Sequence, residues 1–141
     1  MLQWMLLPFR RYAEFSGRSR RQEFWMFVLF NYIVAFAWGA VLGLIMLLLY
    51  LMDAREDTMM TICYLLIVPY GLFSLYLIVP SLAVAVRRLH DTDKSGWFIL
   101  IGMIPLVGGI ILIVFYATEG TRGPNRYGPD PLAEGAAQAF T

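Results

Sequence analysis

Three polar clusters interrupt an otherwise apolar chain, and any chemistry must come from them. The first is Phe15-Ser16-Gly17-Arg18-Ser19-Arg20-Arg21-Gln22-Glu23-Phe24-Trp25. The second is Arg87-Arg88-Leu89-His90-Asp91-Thr92-Asp93-Lys94-Ser95-Gly96-Trp97. The third is Gly120-Thr121-Arg122-Gly123-Pro124-Asn125-Arg126-Tyr127-Gly128-Pro129-Asp130-Pro131. His90 is the only histidine, with Asp91 and Asp93 close behind it. One imidazole and two carboxylates are ligands for a divalent metal. On so short a loop they rarely close a coordination shell, so no metal site is assigned; a structural or pH-sensing role suits His90 better. There is no Gly-x-Ser-x-Gly, no phosphate-binding glycine loop, no His-Glu-x-x-His and no cysteine pair. An enzyme acting on a membrane lipid or envelope precursor would have to use Glu23, Arg88, His90 and Asp91, with His90 moving the proton. No catalytic residue and no cofactor is assigned.

The same residues suit binding at a membrane surface. Arg18 and Arg21 lie three apart, a spacing that puts both on one face of a helix, and Glu23 is placed to pair with one of them. Trp25 falls where an aromatic belt is expected. Arg87 and Arg88 close an apolar run, where long side chains snorkel to the interface and cations favour a helix C-terminus. Asp91 or Asp93 is placed to pair with them or to cap the next helix, for which Ser95 is another candidate. Trp97 anchors the entry to the next run. Asn125 and Asp130 are placed to bond their own backbone, and Tyr127-Gly128-Pro129 signals a turn. With Arg126 and Tyr127 they complete the candidate set for anionic lipid headgroups or a protein partner.

The composition says what must position these clusters. The chain has 141 residues, 60% hydrophobic and 15% charged; a soluble domain carries about 25% charged residues. A net charge of +1 lacks the basic excess of a nucleic-acid binder. Phe24 to Met52, Thr58 to Val86 and Trp97 to Ala117 carry no charge. A helix of roughly 20 apolar residues crosses a hydrocarbon core about 30 Å thick. Backbone groups in lipid must be satisfied within their own segment, so the spans are expected to be helices; the alternation of a barrel strand is missing. The expected fold is all-α: an integral membrane helical protein with about three hydrophobic segments, 24–52, 58–86 and 97–117. They form a single membrane domain over 1–131, with a flexible tail at 132–141. Cys63 lies in the second run and has no disulfide partner.

Leu2, Met5, Leu6, Phe9, Tyr12 and Ala13 fall at helical spacing and predict an N-terminal interfacial helix, interrupted by Pro8. The arginines follow this stretch, the reverse of a secretory signal. The short Asp53–Asp57 loop predicts antiparallel first and second spans. Ala35, Gly39 and Gly43 form a small-residue seam suited to helix packing in lipid. Pro69 and Pro80 predict a bend or an irregular turn in the second span. Pro105-Leu106-Val107-Gly108-Gly109 is a breaker cluster inside the third. That segment either crosses or turns back as a re-entrant hairpin. Three crossings are expected, and the counts of lysine and arginine then set the orientation, with the N-terminus cytoplasmic and the tail outside; the hairpin would put the tail beside both arginine-rich segments.

In this order and around these spans, the clusters resemble the YhaH-like bacterial inner-membrane family, domain of unknown function 805. The resemblance covers roughly Tyr12 to Pro131 and is carried by RRLHDTDKSGW and NRYGPDP. It implies a multi-pass protein of the bacterial inner membrane with few helices, and supplies no mechanism.

The function expected is non-enzymatic: interaction with anionic phospholipid, a membrane-protein partner or a second copy. The alternative is a component of a small oligomeric channel or transporter, although no charge lies in mid-span, where transporters place such residues. A further expectation is topological. Two crossings return the chain to its starting side, so Arg18, Glu23, Arg88 and Asp91 should share it and form a charged network, with Glu23 opposite Arg88.

Overall fold

The structure is a computed structural model that describes residues 2–133. In chain order it forms α1 (Leu2–Arg10), α2 (Arg21–Leu51), α3 (Glu56–Asp91), a 3₁₀ helix (Gly96–Met103) and α4 (Gly108–Ala117). Among the described residues there is no strand, only a bridge between Asn125 and Gly128. The chain divides into two compact units, Leu29–Ile78 and the combination of Met1–Val28 with Val79–Thr141. Most of the tail expected at 132–141 lies outside the described residues.

The Leu29–Ile78 unit holds the most apolar stretches of α2 and α3. Both helices are long and apolar enough to cross a membrane. With 31 and 36 residues, at 1.5 Å per residue they measure about 46 and 54 Å, against a hydrocarbon core of about 30 Å. Their side chains are mostly exposed, as lipid-facing residues are. The turn between them is set by Asp53, at φ 52°. The Ala54 N–H donates to the Leu49 carbonyl at 3.0 Å, and the Asp53 N–H to the Tyr50 carbonyl at 3.1 Å. That pair of bonds is a Schellman motif, with aspartate in place of the usual glycine. Trp38 stacks on Tyr70 at 5.8 Å. A Cβ added to Gly39 or Gly43 would meet nothing within 4 Å, so among the described residues neither glycine of the small-residue seam marks a close approach. α3 runs unbroken through Pro69 and Pro80; neither becomes a turn.

The second unit gathers the two ends of the chain around the first turns of α2 and the last turns of α3. Its apolar core is Phe24, Phe27, Ala83, Val84, Ala85, Leu89 and Tyr116. Phe9 of α1 meets Phe27 edge-on at 5.4 Å, and Phe24 meets Tyr116 at 4.4 Å. α1 continues through Pro8, which is buried. α2 and α3 extend beyond the expected spans at this end, to Arg21 and Asp91. α3 then stops by the same device as α2: Asp93 sits at φ 56°, with Lys94 N–H bonded to Leu89 and Asp93 N–H to His90.

The third apolar segment folds back on itself as a helical hairpin instead of continuing straight. Ser95 caps the 3₁₀ helix, accepting from the Trp97 N–H. The chain reverses at Pro105–Val107, with Leu106 in the left-handed region at φ 69°. α4 returns against the 3₁₀ helix so closely that a Cβ on Gly108 would collide with the Ile101 carbonyl. Phe98 and Phe115 meet edge-on across the hairpin, and the Lys94 ammonium lies 4.8 Å from the Phe115 ring. The breaker cluster decides the outcome because its glycine permits this approach and its proline cannot continue the 3₁₀ helix.

Candidate functional site

The hairpin brings the third polar cluster back to the first two. The last turn of α3 supplies Arg87 and Arg88, both 0% exposed, and Asp91. The small residues Ala83 and Ala85 just before them let neighbouring chain approach. Each guanidinium donates to a carboxylate and to backbone carbonyls, although the buried Arg87 Nε has no partner among the described residues. Arg87 donates to Glu23 at 2.8 Å and to the Arg11 and Glu14 carbonyls. Arg88 donates to Asp91, to the Tyr116 carbonyl at 3.1 Å and to the Thr118 carbonyl. Arg18, 5% exposed, donates from Nε to Asp91 at 3.0 Å, from Nη1 to the Gly123 carbonyl at 2.7 Å and from Nη2 to the Thr121 carbonyl. Asp91 is the hub. Its carboxylate takes two arginines and its own carbonyl accepts the Thr121 N–H at 2.8 Å. Gly120 passes so near that a Cβ there would strike the Asp91 carboxylate.

Several sequence expectations change here. Arg18 and Arg21 do not share a helix face, because α2 starts only at Arg21 and Gly17, at φ 80°, turns the chain ahead of Arg18. Glu23 pairs with Arg87, not with Arg18, Arg21 or Arg88. Arg87 and Arg88 do not snorkel; they are buried, and burial raises the stakes of every pair. A buried ion pair gives little net stability, but losing one partner costs about 3–5 kcal/mol. Of the four residues expected to form one network, Arg18, Arg88 and Asp91 are joined by ion pairs, and Glu23 pairs separately with Arg87. Ser19, Gly120 and Thr121 were not singled out, yet Ser19 is buried and its N–H donates to the Arg87 carbonyl at 3.1 Å. Only the close approach at Gly120 carried a readable signal, a glycine opening the third cluster.

His90 stacks face to face on Tyr127, with centroids 3.8 Å apart and planes 3° from parallel. Its Nδ1 lies 3.2 Å from the Gly17 carbonyl, and Asn125 donates to the His90 carbonyl at 2.9 Å. The imidazole thus ties the third cluster to the other two. Asn125 also accepts the Tyr127 N–H, and Asp130 accepts the N–H groups of Gly123 and Leu132, each at 2.9 Å. Those two bonds hold the Asp130 carboxyl below its usual range. Asp93 pairs with Arg126 at 3.2 Å. Glu14 is likewise lowered, by its bond to Arg11. Among the described residues no group of three or more His, Cys, Asp or Glu could hold a metal ion.

Around this buried cluster lies an accessible cationic rim. Arg20 rests over the Trp4 ring at 5.5 Å and donates to the Pro131 carbonyl. Arg21 reaches Glu119 at 3.2 Å. Arg122 is exposed and makes no hydrogen bond or ion pair among the described residues. Trp25 and Trp97 are exposed, the latter by 78%.

Two long apolar helices, with a cluster of arginines and carboxylates packed where their ends meet the folded-back third segment, define an all-α membrane protein. The chain matches the family described as "Protein of unknown function (DUF805)" over residues 12–129, and it belongs to that family. It is 45% identical over 130 residues to the inner membrane protein YhaI of Escherichia coli K12, covering 92% of this chain and 96% of that one. It is 41% identical over 133 residues to the inner membrane protein YhaH of the same strain, covering 94% and 99%. No solved structure matches it. It is therefore a bacterial inner-membrane protein.

Proposed function

We propose that the protein is a non-enzymatic, multi-pass inner-membrane protein that holds an anionic lipid or a membrane-protein partner at its polar end. α2 and α3 cross the bilayer. α4, at 10 residues, spans about 15 Å, half of a hydrocarbon core of about 30 Å, which suits a re-entrant hairpin. The polar end is cytoplasmic by its arginine content, because only Arg55 lies in the loop joining the far ends of the two crossing helices. The observation that carries the binding role is how the arginines are divided. Arg18, Arg87 and Arg88 are consumed by internal carboxylates and carbonyls, while Arg20, Arg21 and Arg122 remain at an accessible rim. Cations at a cytoplasmic headgroup boundary attract anionic lipid at about 1 kcal/mol each. Native mass spectrometry of the protein taken from bacterial membranes tests the reading. It predicts retained phosphatidylglycerol or cardiolipin, or a stable membrane-protein partner. A protein that retains neither, and does not rebind anionic lipid over phosphatidylcholine, contradicts it.

A further inference from the structure

We infer that the cleft between the start of α2 and the Glu119–Arg122 turn is a phosphate-binding site, for a phospholipid headgroup or free inorganic phosphate. This rests on the anionic-lipid reading above and assigns it to one place. The cleft has a volume of about 370 Å³, with Arg18 and Asp91 in its wall and Arg20, Arg21, Gln22 and Arg122 around it. That is room for a phosphate ester and part of its glycerol, at the small end of ligand pockets.

Charge balance is the main argument. The buried cluster holds three arginines, Arg18, Arg87 and Arg88, against two carboxylates, Glu23 and Asp91. Asp91 is shared between Arg18 and Arg88, so the cluster keeps one net positive charge, which carbonyl dipoles offset only in part. Beside the cleft, Arg20, Arg21 and Arg122 outnumber Glu119 and Asp130. The acids already have partners: Asp91 binds Arg18 and Arg88, Glu119 binds Arg21, and Asp130 binds two backbone N–H groups. The donors are less committed. Arg122 has no hydrogen-bond or ionic partner among the described residues, and Arg21 is half exposed.

The backbone adds a second contribution. Arg20 stands at the cap position of α2, since the Phe24 N–H donates to its carbonyl. An arginine side chain has no acceptor to cap the first-turn N–H groups. Those groups and the helix dipole favour an anion at the same end of the cleft. Phosphate fits better than carboxylate because its oxygens serve two guanidinium forks at once.

The test uses the full-length protein in mild detergent, with inorganic phosphate and phosphatidylglycerol as separate probes. Arg122→Ala should weaken binding about tenfold or more, and Arg21→Ala with Arg122→Ala should abolish it. Arg122→Lys should retain part of it, and Arg55→Ala should change it by less than about twofold. Arg122 is exposed and has no partner among the described residues, so thermal unfolding of that variant should match the parent. If phosphatidylglycerol binds through the cleft and phosphate competes only weakly, the source is the lipid. If phosphate binds there and the lipid adds nothing, the source is the free ion; the site stands and the lipid reading falls. Unchanged phosphatidylglycerol binding in the double variant overturns the site while leaving the lipid reading intact. Binding of neither probe overturns both.

Discussion

Arg18 and Asp91, 73 positions apart, form a buried ion pair at 3.0 Å, and the same carboxylate also binds Arg88. One acidic group therefore joins the segment before α2 to the end of α3, while Arg18 carries the connection on to the Thr121 and Gly123 carbonyls. Removing Asp91 leaves two buried guanidiniums without a carboxylate. Asp91→Ala should cost about 3–5 kcal/mol, read as a lowered unfolding midpoint in detergent. A change below about 1 kcal/mol would mean that the cluster is hydrated and the pair screened.

The pairing of Glu23 is specific. A double-mutant cycle between Glu23→Gln and Arg87→Met should give a coupling of at least about 1.5 kcal/mol, against less than about 0.5 kcal/mol for Glu23→Gln with Arg88→Met. Equal couplings would contradict the assignment of Glu23 to Arg87.

Much of this was legible from the chain, and the remainder has physical reasons. That Arg18 and Asp91 share a side follows from two apolar runs joined by a five-residue polar loop, Asp53–Asp57. Which of two adjacent arginines meets Glu23 depends on how α3 is rotated about its axis, and α3 carries no strong amphipathic pattern to fix that. The end of α3, at Asp91 instead of Val86, was hard to place because Asp93, not a glycine, takes the left-handed position. For the third segment, the length of the uncharged run favoured a crossing and the Pro105–Gly109 breaker a turn. The fold-back itself rests on the close approach of Gly108 to Ile101, which is tertiary. Burial of Arg87 and Arg88 was equally hidden, because most of their partners are loop carbonyls that sequence does not display.

Two glycines should behave oppositely. Gly120→Ala drives a methyl into the Asp91 carboxylate and should disrupt the polar cluster. At Gly109 an added Cβ meets nothing within 4 Å, so Gly109→Ala in α4 should be neutral or stabilise by up to about 1 kcal/mol. Thermal unfolding of the two variants checks the contrast; equal destabilisation would rule out the close approach at Gly120.

The tail turn should be sensitive to acid through Asp130. Its carboxyl is held below the ordinary range, so its contribution is present above the unfolded value of 3.8 and is lost as pH falls through the depressed folded value. The amide resonances of Gly123 and Leu132 should move together in that window, and Asp130→Asn should remove the transition. Amides that do not respond to acid would show that these two bonds are not formed.

The central proposal is that all three polar clusters lie on the cytoplasmic side, because the third apolar segment turns back. Cysteine accessibility in intact cells and inverted vesicles tests it directly, with single cysteines placed at Ala13, Asp57 and Glu119 in a Cys63→Ser background. The account predicts that Ala13→Cys and Glu119→Cys react from the cytoplasmic face and Asp57→Cys from the periplasmic face. Labelling of Ala13→Cys and Glu119→Cys from opposite faces would contradict it, because the third segment would then cross the membrane and the cluster could not form.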